Sequence, residues 1–512
     1  MAEILKSSLV WRFFMALAAL YRRSPLARAV AAVGRAWRDS ATYRFFAKRL
    51  TAQSAVERAC YRRLLDALNA GLWRMGKRLQ GARETSVLLR AGRQSFFWRA
   101  VSHRITPLLL LVIAAYAPID YALRDWVQLP SLAAVWDELL LIFGFFWVLR
   151  RAALAERPLR SRANRMDFPL AFYLLAGVLL LLCVTPYPSI NITGFRASLQ
   201  YLLLFFLVTR LIRDEKDFNL LYHAMIAIAT VIALHGIWQF IIGVEIPENW
   251  TDNAEGSVRT RVFSIFSNPN IMGAYMLLFA PMAIGRAYAA KGGRERVFFW
   301  SCGIAMCLSC LFTMSRGAWL ALAVAALLFA VIVDRKLLAL MLLGGVFACF
   351  LPFVRSRLGY LFTASFAESN ARGGREKRWS AAIRYLKQFN VWTGMGYGMY
   401  GGAVAVQNPV LPGIEYMYVD NYYVKILVEN GILGLSAFLL SLWGMIWGGL
   451  CACARTVKTR LNPLCAGMLA GLVGILVQSF FESVWEEPYM MAIFFAIAGM
   501  LACAGSFSKE NM

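Results

Sequence analysis

Arg316 stands between two apolar runs in TMSRGAWLALAVAALL, residues 313–328. A guanidinium there is costly unless it lies at a membrane interface or meets an anion; snorkelling to lipid headgroups is the simpler alternative. Arg375, Lys377 and Arg378 follow in ARGGREKRWSAAIRYL, residues 371–386, at the start of a stretch with amphipathic helical spacing. Helix N-termini favour anions and guanidinium forks grip phosphate oxygens in pairs, so these side chains suit a diphosphate. A solvated basic helix face would use the same residues. Asp420 and Asn421 open DNYYVKILVENGILGL, where either is a good helix N-cap. Lys425 and Glu429, one turn apart, can neutralise each other, and Asn430-Gly431 suggests a break in that helix.

Two further stretches carry polar residues of interest. In RTRVFSIFSNPNIMGAYML, residues 259–277, Asn268, Pro269 and Asn270 form a turn that caps the next helix, with Arg261 as an ordinary solvated cation or a second anion ligand. TGMGYGMYGG, residues 393–402, alternates glycines but follows a helix and has no strand before it, so the dinucleotide-binding reading fails. A tight turn or a close backbone approach fits better. The chain has three histidines, His103, His223 and His235, none near these segments, which argues against a Ser-His-Asp triad or a zinc site there. No cofactor is implied, and Cys302, Cys307 and Cys310 in an apolar run read as small hydrophobes rather than metal ligands.

The elements that must hold these residues are membrane helices. Of 512 residues, 60% are hydrophobic and 16% charged, against about 25% charged in soluble proteins, and the mean hydropathy is +0.56. Apolar runs near the roughly 20 residues needed to cross a bilayer recur from about residue 105. The expectation is an all-α polytopic bundle of about 12 spans, near 105–119, 137–149, 168–186, 197–212, 218–243, 271–289, 297–314, 317–333, 336–354, 422–450, 463–481 and 488–505. Basic connections at 150–165, 210–217, 291–296, 334–336 and 455–460 then share the cytoplasmic side with both termini. The long connection 355–421 falls on the outer face, partly helical, together with 187–196 and 244–270. Arg259, Arg261, Arg316, Arg355, Arg357, Arg372, Arg375 and Arg378 are then cations on the face where topology would not place them.

Residues 1–104 form a separate basic region, with 21 Lys and Arg against 5 Asp and Glu. Helical spacing of Arg with Ala, Leu, Phe and Trp in 11–50 fits amphipathic helices on the inner leaflet, held by anionic lipid, or a small cytosolic helical domain. Nothing in it reads as a nucleic-acid module, and no signal peptide is recognisable.

The ordered set FSIFSNPNIMGAY, SRGA, GREKRW, GMGYGMYGG and DNYYVKILVENGILGL resembles the O-antigen ligase and polymerase superfamily over roughly residues 168–505. The resemblance implies a GT-C-like membrane fold in the bacterial inner membrane. It implies transfer of a glycan from a polyprenyl diphosphate carrier on the outer face, without metal in the ligases, to a growing polysaccharide, lipid A core, or a protein. Arg316 and Arg375 would hold the diphosphate, with Arg261, Arg378 and Asn421 as support. Trp379, Tyr397 and Tyr400 could stack on sugar rings, though core packing is the commoner role for such residues. Ligases of this kind show a histidine where this chain has Asp420, which would act as base or orient the acceptor; the replacement favours polymerisation over ligation. A flippase of lipid-linked glycan and a non-catalytic envelope scaffold are the rival readings. The first would show internal repeats and midplane charges, and the second would leave Asp420 as a plain cap.

Overall fold

Leu, Ala, Val and Phe in long runs with few breakers leave the backbone to satisfy itself internally, and helices result. The structure, a computed structural model, describes residues 32, 60–85, 104–159, 161, 163–245, 260–266, 268–364 and 374–507. All of these but Ala32 belong to one unit, Ser54–Met512. Among them every regular element is helical and no strand forms. The protein is an all-α polytopic membrane protein.

Each of the twelve expected spans meets a helix, but length and composition support fewer crossings. Among the described residues seven helices are long and apolar enough to cross a membrane. An eighth is counted if Ile105–Ala114 and Tyr116–Trp126, bent by 74°, make one span. Asp167–Cys183, Arg316–Ile332 and Lys336–Phe350 are apolar but shorter, and Trp136–Ala153 is charged at both ends by Asp137, Glu138, Arg150 and Arg151. One expected connection, 187–196, is itself helical: the span begins at Pro188, a favoured first-turn residue, and runs to Leu211.

The centre of the bundle is Pro269–Ala289, packed against Leu461–Gln478 and Gly293–Phe312. Small residues permit that closeness: a Cβ at Gly471 would stand 2.2 Å from the Leu278 carbonyl oxygen, and one at Gly467 2.5 Å from that of Pro281. Arg316–Ile332 packs on both Leu461–Gln478 and Pro269–Ala289. The cysteines of the apolar runs are free thiols; Cys310 is fully buried and reaches the Gly273 carbonyl at 3.7 Å.

The expected amphipathic stretch 11–50 lies outside the described residues apart from Ala32. Downstream, Cys60–Thr85 is a helix packed on Trp136–Ala153, with the Trp73 indole donating to the Ala155 carbonyl at 3.1 Å.

The kink at Gly431 organises the other end of the chain. Tyr422–Arg455 is broken there, with Gly431 at φ 63° and ψ −167°. The opened backbone pairs with the glycine-rich segment: Met395 and Gly396 donate to the carbonyls of Val428 and Glu429, and Ile432 and Leu433 donate to those of Val391 and Trp392. A Cβ at Gly394 would meet the Glu429 carbonyl at 2.5 Å. The alternating glycines therefore allow close approach to a helix, and no ligand is needed to explain them.

Candidate active site

Asn421, not Asp420, caps the kinked helix: its side chain accepts from the amides of Tyr423 and Val424 at 3.0 and 3.1 Å. It is 4% exposed, so its expected part in binding substrate gives way to this structural one. Asp420, one residue earlier, has φ +52° and is thereby turned out of the capping position. Its Oδ2 receives Arg378 Nη1 at 2.5 Å, and Arg378 also donates to the Tyr418 carbonyl. Burial raises the Asp420 carboxyl, against the pull of Arg378 and Arg375.

Arg378 and Arg375 come from the expected loop helix, Arg375–Leu386, which packs on the kinked helix. The Trp379 indole pins it by donating to the Val419 carbonyl at 3.0 Å. Arg375 reaches across to the turn after Leu461–Gln478, donating to the Phe481 carbonyl at 2.8 Å. Arg316 opens its own helix, where Ser315 caps by accepting from the Ala318 amide. Its guanidinium donates to the Arg357 carbonyl, lies 5.8 Å from the Tyr360 ring centre, and stands within Coulombic reach of Arg375.

Of the two readings that the sequence left for Arg261, the solvated cation does not hold. Arg261 is 5% exposed, donating from Nε to the Thr313 carbonyl and from Nη2 to Asn270 Oδ1 at 3.1 Å. Desolvation lowers its basicity to about 10. Asn268 caps Pro269–Ala289 as expected, accepting from the Asn270 amide. That leaves the Asn270 side chain free to project, and its Nδ2 donates to Glu482 Oε2 at 2.5 Å.

Glu482 is the residue that sequence reasoning missed. It lies in the turn between Leu461–Gln478 and Val484–Glu486, its amide donating to the Gln478 carbonyl. Burial, reinforced by the charge of Asp420, pushes its carboxyl up to about 7, against the Asn270 bond and Arg375. Among the described residues, the guanidinium groups of Arg261, Arg316, Arg375 and Arg378 thus gather with the carboxylates of Asp420 and Glu482, and the Arg357 backbone carbonyl supports Arg316. Of the four described non-glycine residues with positive φ, three (Ser264, Met314 and Asp420) lie in the segments that carry this cluster. Such strain persists only where surrounding structure enforces it, and it concentrates at functional sites.

Other expected residues lie elsewhere. Tyr397 and Tyr400 are 1% and 0% exposed, with Tyr397 edge-on to Phe195 and Tyr400 edge-on to Tyr385. Their rings pack the fold and are not presented to a sugar. Arg355 is exposed, and Arg357 is buried against the Met314 carbonyl. His235 bonds Ser264 and His223 bonds Arg286, both away from the cluster's carboxylates. Arg259, Arg372 and His103 lie outside the described residues.

The expected Lys425–Glu429 pair is present at 2.9 Å, with a partner that the sequence did not suggest: Glu486 lies 3.2 Å from the same ammonium. Glu429 also accepts from the Tyr400 amide and Glu486 from the Ala403 amide, so the triad fastens the glycine-rich loop to the kinked helix.

Residues 301–439 match the family model described as O-antigen ligase, which supports the O-antigen ligase and polymerase superfamily that the motifs resemble. The matched stretch contains Arg316, Arg375, Arg378 and Asp420 but neither Arg261 nor Glu482. No curated protein matches the chain.

Proposed function

We propose that this O-antigen ligase-type chain transfers a glycan from a polyprenyl diphosphate carrier to a hydroxyl acceptor. The observation that carries the reading is the convergence of Arg316 and Arg375, from separate segments, beside Asp420 and Arg378. Guanidinium groups brought together from separate segments suit the paired oxygens of a diphosphate, whose negative charge grows as the carrier leaves. Arg316 and Arg375 bind and stabilise that leaving group, with Arg261 and Arg378 in support. Asp420 orients the acceptor or takes its proton, and Trp379 borders the acceptor side. The acceptor is a growing polysaccharide or lipid A core, with a protein hydroxyl as a third class.

The reading includes a GT-C-like bundle of about twelve crossings in the bacterial inner membrane, both termini cytoplasmic, and the arginine cluster on the outer face. Its division is a basic region 1–104 and a membrane domain 105–512, with an outer loop 355–421. A non-catalytic scaffold would leave Asp420 as a plain cap, a role that Asn421 fills instead.

The test is transfer by purified protein in nanodiscs from a synthetic polyprenyl-diphosphate-linked oligosaccharide. Arg316→Ala and Arg375→Ala should each lower transfer at least a hundredfold and weaken carrier binding. Wild-type transfer in both variants would end the proposal. Longer chains on the carrier identify a polymerase, and glycan on lipid A core a ligase.

A further inference from the structure

Within the transfer reaction proposed above, on which this inference rests, we propose that Glu482 takes the proton of the acceptor hydroxyl while Asp420 serves as a positioning residue. The assignment rests on how the two carboxylates are held. Asp420 is tied by Oδ2 to the Arg378 guanidinium at 2.5 Å, an ion pair that opposes its protonation. Glu482 has no cation within 4.0 Å among the described residues. Its Oε2 is held by the neutral Asn270 amide, and the Ser483 backbone amide also acts on the carboxyl.

Asn270 is itself fixed. Arg261 donates to its carbonyl oxygen at 3.1 Å, which turns the amide nitrogen toward Glu482. A buried arginine, an amide and a carboxylate thus form a chain, with one carboxylate oxygen oriented by Asn270. The neighbouring carbonyl, that of Phe481, accepts from Arg375. The group that would receive a proton and the group that would hold the leaving diphosphate are therefore joined through adjacent residues. Tyr422 donates to the Ser479 carbonyl, which docks the Glu482 turn against the helix start that Asp420 precedes.

The charged groups that act on Glu482 are Asp420, Arg375 and Arg261. Glu486, next on the same turn, is engaged by Lys425. Burial and Asp420 bring Glu482 to about 7, where a carboxyl is a useful base near neutral pH.

In the step, the acceptor O–H bond breaks and its proton passes to Glu482 Oε1. The oxygen's electron pair forms the bond to the anomeric carbon as the bond from that carbon to the diphosphate oxygen breaks. That electron pair leaves with polyprenyl diphosphate, and Glu482 then returns its proton to solvent.

The experiment uses the full chain in nanodiscs with a polyprenyl-diphosphate-linked oligosaccharide as donor. Chain extension on the carrier and transfer to lipid A core are read in parallel, with donor binding measured separately. Glu482→Gln should lower kcat at least a hundredfold while donor Kd stays within threefold. Wild-type kcat should rise with pH through a limb near 7; Glu482→Asp should move that limb, and Asp420→Asn should retain it at a lower pH, because the Asp420 charge helps to raise Glu482. Glu482→Gln within tenfold of wild type, or loss of the limb in Asp420→Asn, overturns the assignment and leaves the glycan-transfer reading standing. If wild type neither binds nor uses the donor, that reading fails and takes this assignment with it.

Discussion

Arg378 and Asp420 are joined at 2.5 Å between the loop helix and the residue just before the kinked helix. The pair is part-exposed on both sides, so its contribution to stability is about 1 kcal/mol at most. Its consequence is geometric: the carboxylate is aimed at the loop helix instead of the helix amides, which Asn421 serves. Asp420→Asn should leave the melting temperature within about 2 °C and lower transfer by about tenfold or less. A hundredfold loss would make Asp420 the proton acceptor in place of Glu482.

The kink should be intolerant of a side chain. A Cβ at Gly431 would stand 2.3 Å from the Trp392 carbonyl, at a φ of +63° that L-residues rarely adopt. Gly431→Ala should cost about 2 kcal/mol or more. Donor binding should weaken too, because the displaced segment leads back to the helix that carries Arg375. Gly344→Ala, in open space within Lys336–Phe350, is the control and should not lower the melting temperature.

The kink was legible because Asn-Gly inside an apolar helix is a strong local signal; Arg316 stands out as an isolated cation in apolar sequence, and Arg375 as the opening of a basic amphipathic stretch. The sequence left Arg261 open between a solvated cation and an anion ligand, since its burial depends on the Thr313 carbonyl and Asn270 arriving from other positions. Glu482 was missed because QSFFESVWEEP, residues 478–488, holds three acids that spacing cannot rank. Only packing separates Glu486, consumed by Lys425, from Glu482, set beside the arginines. The count of about twelve spans goes beyond what helix length and composition support, because Asp167–Cys183, Arg316–Ile332 and Lys336–Phe350 are apolar but short.

The triad of Lys425, Glu429 and Glu486 should be a stability determinant. Its ammonium and the Glu429 carboxylate are nearly inaccessible to water. Lys425→Met would strand two carboxylates, and removing one partner of a buried ion pair costs about 3–5 kcal/mol. Converting Glu429 and Glu486 to Gln in the same chain should recover at least half of that loss, since glutamine oxygens can still accept from the Tyr400 and Ala403 amides. Thermal melting of the single and triple variants checks this; equal losses in both would mean that charge is not the cause.

Glu482 should carry a stability cost with a defined pH window. Its carboxyl is raised from the ordinary 4.5 to about 7, so between these values the folded chain holds a proton that the unfolded chain has lost. Stability therefore falls as pH rises from 4.5, and the penalty is complete above 7. The side chain is part-exposed, which moderates the cost to on the order of 2–3 kcal/mol. Glu482→Gln removes the ionisation and retains an oxygen for the Asn270 amide. The variant should melt higher than wild type at pH 8 and close to it at pH 5. A variant that melts lower at pH 8 would show that the carboxylate stabilises the fold and that its ionisation is not opposed there. A higher-melting variant that has lost transfer would identify Glu482 as a group retained for chemistry against the interest of stability.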